Sequence, residues 1–150
     1  MPARIAVRRA RSSDLRSVVA IERASFAAEA WPREVFMELM RECPALFFVA
    51  AAAARMAGYS STVIARDEAE LVSIAVHPRF RRRGVARALM KRTLALLKRT
   101  GVERCWLTVR AANREAIRLY EGLGFKHVRR VKDYYGRGRD GQRMRLSLNA

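Results

Sequence analysis

One stretch of the sequence, residues 71–97, constrains the fold of this chain more than any other. Residues 71–76 form an apolar run that predicts a buried strand, and residues 85–97 have the spacing of an amphipathic helix. A turn at residues 81–86 joins them. A turn that opens a helix presents several unpaired backbone N–H groups to one point, where the helix dipole also attracts anions. The stretch therefore predicts a strand, a phosphate-binding turn and a helix.

The residue types in this turn favour a phosphate ligand. Gly84 and Ala86 let a ligand approach the backbone closely, because a larger side chain at either position would stand where a pyrophosphate should lie. Three consecutive arginines, Arg81, Arg82 and Arg83, supply the positive charge. The turn by itself leaves a second interpretation open, which is an ordinary helix start with solvated arginines.

Length and composition predict a single domain. A chain of 150 residues with 51% hydrophobic residues can bury a sizeable core, so we expect one domain over residues 1–150. The two cysteines, Cys43 and Cys105, match neither a CxxC motif nor a metal-ligand cluster, which predicts reduced thiols and no metal site. The sequence has no apolar stretch of membrane-spanning length and no signal-peptide core. We therefore expect a cytoplasmic protein with no membrane partner.

The formal net charge of +17 is a competing signal. It results from 31 Lys and Arg against 14 Asp and Glu, a surplus that attracts polyanions non-specifically at low salt. Nucleic-acid-binding modules combine such charge with a recognition helix or base-stacking aromatics, whereas the arginines here are scattered over nearly every predicted element. We therefore expect no specific nucleic-acid recognition.

The remaining elements follow from hydrophobic spacing and from turn signals. Asp14 is a candidate helix N-cap, Pro32 suits the first turn of the next helix, and Gly101 suits the end of the helix after the arginine turn. Strands are predicted at residues 5–7, 46–53, 56–65, 70–76, 104–109, 126–131 and 143–148, and a last helix at 113–121. The order is β-α-α-β-β-β-α-β-α-β-β, which predicts an α/β fold with a mixed sheet and helices on both faces.

Four segments of the chain together carry a family resemblance. They are Ile21-Glu22 with Phe26, Trp31-Pro32 and Phe36; Ile74-Ala75-Val76-His77-Pro78 followed by Arg81-x-x-Gly84-x-Ala86; Trp106-Leu107-x-Val109-Arg110-x-x-Asn113 with Ala116, Leu119-Tyr120-Glu121 and Gly124-Phe125; and Tyr134-Tyr135 with Met144. In this order they resemble the GCN5-related N-acetyltransferase (GNAT) superfamily, and within it the branch that acetylates protein N-termini, including ribosomal-protein alanine acetyltransferases. The resemblance implies a mostly antiparallel sheet whose fourth and fifth strands splay apart.

The resemblance also implies acetyl-coenzyme A (acetyl-CoA) as co-substrate. Its pyrophosphate would bind the turn, and its pantetheine arm would pair with the fourth strand almost as another strand would. Asn113 would reach it from the following helix, although a plain helix N-cap is the alternative role for this residue. The implied cofactor-binding residues are Ile74, Ala75, Val76, Arg81, Arg82, Arg83, Gly84, Val85, Ala86, Arg87 and Asn113.

Acetyl transfer requires a group that protonates the departing thiolate. Tyr120 resembles the family's acid, and a phenol with an ordinary pKa near ~10 keeps its proton at neutral pH. The alternative is a tyrosine that only packs in the core.

The general base is where the chain departs from the ribosomal-protein branch. That branch usually has a Glu where this chain has Thr108, and a threonine hydroxyl cannot act as a base near neutral pH. Glu70 is the predicted replacement, because its position is similar to that of the catalytic Glu of histone-type members; a solvent-facing glutamate is the alternative. Glu22 and His77 are weaker candidates. Positioning and a backbone N–H that polarises the thioester would reduce the need for any base.

The predicted acceptor is a protein or peptide N-terminal amine that attacks directly in a ternary complex. The implied substrate-binding residues are Glu22, Trp31, Thr108, Tyr134 and Tyr135. A strongly basic enzyme would repel small cationic amines and attract an acidic protein. Two alternatives stay open, a small-molecule amine acetyltransferase and a basic polyanion-binding protein on a scaffold impaired at Thr108. We expect a monomer or a homodimer.

Overall fold

Strands and helices follow one another in the order that the sequence predicts. A computed structural model describes residues 4–149. The strands of this described chain are β1 (Ile5–Arg9), β2 (Phe47–Ala52), β3 (Arg55–Ala65), β4 (Glu68–Val76), β5 (Arg104–Arg110), β6 (Lys126–Val131) and β7 (Gly141–Ser147). Its α-helices are α1 (Leu15–Phe26), α2 (Arg33–Glu42), α3 (Val85–Arg99) and α4 (Arg114–Gly122).

The described residues form two compact units, one of residues 4–63 and 72–96 and the other of residues 64–71 and 97–149. In the first unit the strand order is β1-β2-β3-β4, and β2 lies antiparallel to both β1 and β3. The strands predicted at residues 46–53 and 56–65, with Ala54 and Arg55 between them, form a hairpin of β2 and β3, but its two-residue turn is Ala53-Ala54. Arg55 pairs with Ala52, and Ala53 adopts the left-handed φ of 55° that a tight hairpin turn requires.

The core of the first unit packs α1 and α2 against β2 and β3. Val18 of α1 and Phe36 of α2 are completely buried with Phe47 and Tyr59 of the strands. The rings of Phe36 and Tyr59 meet edge to face, with their centroids 5.6 Å apart. Burial of each such side chain contributes about 1.5–3 kcal/mol. This packing fixes Tyr59, whose hydroxyl belongs to the site described below.

The second unit contains the neighbouring strands β4-β5-β7-β6. β4 and β5 are parallel, with Glu68 opposite Arg104 and Glu70 opposite Trp106. β7 lies antiparallel to both β5 and β6. The predicted mixed, mostly antiparallel sheet with helices is therefore confirmed.

Asp14 is the N-cap residue of α1, as the sequence predicts, although its side chain makes no capping hydrogen bond to the helix. Its carboxylate accepts from the backbone N–H of Arg11 at 2.7 Å and pairs with both terminal nitrogens of Arg8. The hydrogen bond from Arg8 lowers the pKa of this carboxyl. The Asp14 side chain therefore joins β1 to the turn before α1.

None of the helices in the part of the chain that the structure describes has the length and apolarity needed to cross a membrane. Within residues 4–149, no cluster of His, Cys, Asp and Glu is arranged to hold a metal ion. Cys105 is buried and Cys43 is half-buried. One domain over residues 1–150 stays a prediction.

Candidate functional site

The arginine turn of the first unit leads directly into α3. Its backbone passes through two left-handed residues, Arg82 at φ 63° and Gly84 at φ 77°. A Cβ placed on Gly84 would meet no atom within 4 Å, so this side of the turn is open. α3 runs for 15 residues from Val85, and the N–H groups of its first turn have no carbonyl partners within the helix. These N–H groups and the helix dipole make the turn fit a pyrophosphate.

The arginine side chains of the turn are exposed, whereas Val85, the first residue of α3, is buried. Arg81, Arg82 and Arg83 are exposed, whereas Val85 is 2% exposed and fixes the start of α3 in the core. The Arg81 side chain donates to the backbone carbonyl of Val76 at 3.4 Å, and the Arg83 guanidinium lies 5.6 Å from the centroid of a phenyl ring, that of Phe80. Two of the three arginines are therefore directed by local contacts, and all three stay accessible to an anion.

Residues 74–76 at the end of β4 alternate between a buried and a half-buried face. Ala75 is buried, while Ile74 and Val76 are half-buried. On the neighbouring strand, a Cβ on Gly58 would lie 2.7 Å from the carbonyl oxygen of Ala75, so the two backbones can approach this closely because residue 58 is glycine. Sequence reasoning missed Gly58, although an isolated glycine inside a strand is a known sign of such an approach.

Glu22 and Trp31 are brought together in the first unit. Glu22 is 1% exposed, and its carboxylate accepts hydrogen bonds from the Tyr59 hydroxyl, from the Ser73 hydroxyl at 2.8 Å and from the backbone N–H of Trp31 at 2.8 Å. Burial, with a smaller contribution from Glu22, raises the pKa of Tyr59. Sequence reasoning singled out neither Tyr59 nor Ser73 as a partner of Glu22.

Glu70 and Thr108 are brought together in the second unit by an arginine. The Arg143 guanidinium donates to the two carboxylate oxygens of Glu70 at 2.6 and 2.9 Å, and to the Thr108 hydroxyl at 3.2 Å. Its carbon Cζ also lies 4.7 Å from the centroid of the Trp106 ring. The hydrogen bonds from Arg143 to Glu70 raise the pKa of the guanidinium further. Arg143 was not predicted, because its place opposite Thr108 follows from the register of β7 on β5.

The two adjacent tyrosines after β6 also contact this group. The Tyr135 hydroxyl donates to the backbone carbonyl of Thr108 at 3.0 Å, and the rings of Tyr134 and Tyr135 meet with centroids 4.8 Å apart. A Cβ on Gly141 would lie 2.9 Å from Cγ2 of Thr108 and 3.0 Å from Cβ of Tyr134. Glycine at 141 therefore lets the predicted residues Thr108, Tyr134 and Tyr135 pack together.

Tyr120 lies in α4 and is 4% exposed. Burial raises the pKa of its phenol, and Tyr135 and Cys105 raise it further. Burial likewise raises the pKa of the Cys105 thiol to about 12. Both groups therefore keep their protons at neutral pH, and Tyr120 is in the form that can donate one.

Comparison with known sequences identifies the family of this chain. The sequence profile of the acetyltransferase (GNAT) family matches residues 14–125. The chain belongs to the GNAT family. The resemblance that the four sequence segments predict is thus confirmed.

Two individual relatives of this GNAT chain are named as N-acetyltransferases. It is 46% identical over 81 residues to the [ribosomal protein bS18]-alanine N-acetyltransferase of Salmonella typhimurium, a match that covers 54% of this chain and 55%, about half, of that protein. It is 33% identical over 155 residues to an N-alpha-acetyltransferase of Sulfurisphaera tokodaii, with 95% of this chain and 92% of that protein covered. Among solved structures, Ard1 from Thermoplasma volcanium superposes with a TM-score of 0.91 at 30% identity, over 97% of this chain and 99% of that one.

Two further predicted residues of this GNAT chain have local partners. Asn113 is the N-cap of α4, and its side-chain oxygen accepts from the backbone N–H of Ala116 at 3.1 Å. The cap uses the oxygen of Asn113, so the amide NH₂ is the group that could reach a cofactor. His77 accepts from the backbone N–H of Arg79 through Nδ1 at 3.1 Å, a turn contact of the kind expected for a loop histidine.

Proposed function

We propose that this protein is an acetyl-CoA-dependent N-acetyltransferase that acetylates the N-terminal amine of a protein or peptide by direct attack in a ternary complex. The observation that carries the proposal is the open turn at Gly84, which offers a pyrophosphate site at the start of α3. The N-terminal acceptor is supported by the S. tokodaii N-alpha-acetyltransferase, to which nearly the whole chain is similar. We also propose a cytoplasmic location and a monomeric or homodimeric state.

Acetyl-CoA, when bound, supplies the acetyl thioester that the amine attacks. The turn residues Arg81 to Arg87 would hold its pyrophosphate through backbone N–H groups and guanidinium side chains. The backbone of Ile74, Ala75 and Val76 would hold its pantetheine arm, and the NH₂ group of Asn113 would donate to it. The half-buried state of Ile74 and Val76 supports this assignment, since a fully buried strand face would not admit a ligand.

Tyr120 is proposed as the general acid. Its raised pKa means that the phenol oxygen holds its proton throughout the neutral range. A general acid must be protonated when the leaving group departs, and burial of Tyr120 secures that state.

Glu70 is proposed as the general base. Its side chain is 40% exposed, so an amine or a bridging water can reach it, but both of its oxygens bind Arg143. Each oxygen keeps a second lone pair, with which it can accept a proton while Arg143 is bound. Arg143 orients the carboxylate in the meantime, and its bond to Thr108 gives that hydroxyl a defined place beside the pair.

The residues proposed to contact the acceptor are Trp31, Thr108, Tyr134 and Tyr135, and Glu22, which the resemblance also implies, is proposed to act on the acceptor site indirectly. Trp31 and Tyr134 support this assignment best, because these residues are 47% and 54% exposed although large aromatic residues are usually buried. Glu22 is buried, which favours an indirect contribution to acceptor binding.

An acetyl-transfer assay tests the proposed function. Purified protein and acetyl-CoA would be incubated with peptides that differ in their first residue, and thiol release and the acetylated position would be measured by colorimetry and mass spectrometry. We expect transfer to the α-amine, and none to the same peptides with a blocked N-terminus. Transfer to a polyamine or aminoglycoside alone would instead indicate a small-molecule enzyme. Absence of transfer, together with nucleic-acid binding at physiological salt, would indicate a polyanion-binding protein.

A further inference from the structure

The carboxylate of Glu22 is more deeply buried than that of Asp14, the other buried carboxylate among the described residues, and neither proposed proton transfer uses it. It is 1% exposed and accepts from three neutral donors, the hydroxyls of Tyr59 and Ser73 and the backbone N–H of Trp31. A buried charge without such partners would be strongly destabilising. The three donors therefore stabilise the buried carboxylate of Glu22.

The two oxygens of Glu22 have different partners. Oε1 accepts from Tyr59 and from Ser73, whose hydroxyls are also 3.1 Å from each other. Oε2 accepts from the N–H of Trp31 at 2.8 Å. One oxygen is thus bound to the core strands β3 and β4, and the other is bound to the segment between α1 and α2.

That segment, residues 27–32, has little regular structure of its own. It begins at Ala27, whose φ is 47°, forms a single 3-10 turn at Ala27–Glu29 and ends where Pro32 precedes α2. The backbone N–H of Trp31 donates to Glu22, while Trp31 as a whole residue is 47% exposed. The inward hydrogen bond therefore fixes the backbone from which an exposed aromatic side chain extends.

Ser73 relates the same carboxylate to the proposed cofactor strand. It lies in β4 immediately before Ile74, the first of the three residues proposed to hold the pantetheine arm. Within the first unit, Glu22 thus joins the segment that presents Trp31 to the strand that presents Ile74, Ala75 and Val76.

We infer that Glu22 is a positioning residue, whose carboxylate holds the 27–32 segment against β4 through the N–H of Trp31 and does not itself contact the acceptor amine. The inference rests on the proposed function in taking Trp31 as an acceptor-binding residue. It replaces direct recognition of the amine by Glu22, because a side chain that is 1% exposed and accepts three hydrogen bonds is not available to a ligand at the surface.

Glu22→Leu and Glu22→Gln separate positioning from direct recognition. Leucine offers no acceptor to Trp31, so Glu22→Leu should raise the KM for an acceptor peptide at least about tenfold, with the Kd for acetyl-CoA unchanged. Glutamine can turn its oxygen to Trp31 and donate its NH₂ to the hydroxyl oxygens of Tyr59 and Ser73. Glu22→Gln should therefore stay close to wild type. If Glu22 instead bound a cationic amine through its charge, Glu22→Gln and Glu22→Leu would both raise the KM for the acceptor peptide.

Hydrogen exchange of the 27–32 segment gives a readout that needs no substrate. In Glu22→Leu, the protection factor of the Trp31 N–H should fall about tenfold. Ser73→Ala is the matched control, because it removes a donor to Oε1 and leaves the bond from Oε2 to Trp31 intact; its protection should stay near that of wild type. If no acceptor is acetylated and Glu22→Leu still loses this protection, the proposed function fails while the positioning contact stands.

Three results would overturn the inference. They are unchanged protection and KM in Glu22→Leu, equal loss of protection in Ser73→Ala and Glu22→Leu, and a KM in Glu22→Gln raised as far as in Glu22→Leu. If Glu22→Leu does not fold, Glu22→Gln carries the test alone, since retained protection with retained KM supports positioning and a tenfold higher KM contradicts it.

Discussion

Tyr120 and Glu70, the residues proposed to move protons, have opposite surroundings. Tyr120 is 4% exposed, and burial is the main cause of its raised pKa. Glu70 is partly exposed and is tied to Arg143 through both oxygens. Burial therefore keeps the proposed acid protonated to a higher pH than an ordinary phenol, whereas an ion pair sets the orientation of the proposed base.

Replacement of Tyr120 by Phe should remove the acid with little change in packing, because only a hydroxyl is lost. We expect kcat to fall about 10²- to 10⁴-fold while the Kd for acetyl-CoA stays constant. Single-turnover kinetics and calorimetric binding would measure the two quantities. Unchanged kcat, with chemistry shown to limit the rate, would remove Tyr120 from the mechanism.

The pH dependence of kcat follows from the direction of the Tyr120 shift. An acid works below its pKa, and the pKa of Tyr120 lies above the ordinary phenol value of about 10. We therefore expect no loss of kcat between about pH 8 and about pH 10 that depends on this hydroxyl. Wild-type and Tyr120→Phe profiles in this range would check it, and a wild-type decline that is absent from the variant would contradict the shift.

Glu70→Gln tests the base while preserving shape and one acceptor oxygen for Arg143. If Glu70 accepts the proton, kcat/KM should fall about 10²-fold or more and its acidic limb should disappear. Glu68→Gln is a suitable control, because Glu68 is on the same strand face and is likewise paired with an arginine, Arg104, at 2.7 Å. An unaltered pH profile in Glu70→Gln would exclude Glu70 as the titrating base.

At the level of elements, α3 has a glycine in the left-handed region just before its start and another just after its end. Gly84 has φ 77° and Gly101 has φ 80°, and a Cβ at either would meet no atom within 4 Å. The conformational cost of alanine should therefore be similar at both, about 1 kcal/mol. The two positions differ because a pyrophosphate is proposed to bind at Gly84 and no ligand is proposed at Gly101.

Gly84→Ala should weaken acetyl-CoA binding by about tenfold or more, because the added Cβ would occupy space proposed for the pyrophosphate. Gly101→Ala should lose a similar amount of thermal stability and keep its affinity. Calorimetric titration with acetyl-CoA and thermal unfolding of both variants would measure this. Equal affinity in the two would contradict the pyrophosphate assignment.

At the level of the whole molecule, several acidic residues form ion pairs with arginines, and positive charge exceeds negative charge. Arg8, Arg104, Arg130 and Arg143 pair with Asp14, Glu68, Asp140 and Glu70. The formal charge of the chain is nonetheless +17. A field of this sign accelerates encounter with an acidic partner and is screened by salt.

Peptides with the same N-terminal residues but different downstream charge would measure this effect. We expect the acidic peptide to have the higher kcat/KM, and the ratio between acidic and neutral peptides to fall as salt rises from about 0.05 M to about 0.5 M. The kcat values should differ little, because the field acts on encounter. A ratio independent of salt would show that the net charge does not select the acceptor.

The sequence by itself determined the features that depend on short spacing. The order of strands and helices and the glycine turn before α3 follow from hydrophobic periodicity and from the conformations that glycine allows. The hairpin turn was displaced by one residue, because alanine gives no signal of the left-handed conformation that Ala53 adopts.

The tertiary structure alone decided which side chains meet. Glu22 lies 37 residues from Tyr59 and 51 from Ser73, and Glu70 lies 73 residues from Arg143. The packing of α1 against the strands brings Glu22 to Tyr59 and Ser73, whereas strand pairing and register bring Glu70 to Arg143. A shift of one residue in a strand would turn its side chains to the opposite face. Local spacing therefore located the proposed phosphate-binding turn, whereas the surroundings of the proposed acid, base and positioning carboxylate required the packed chain.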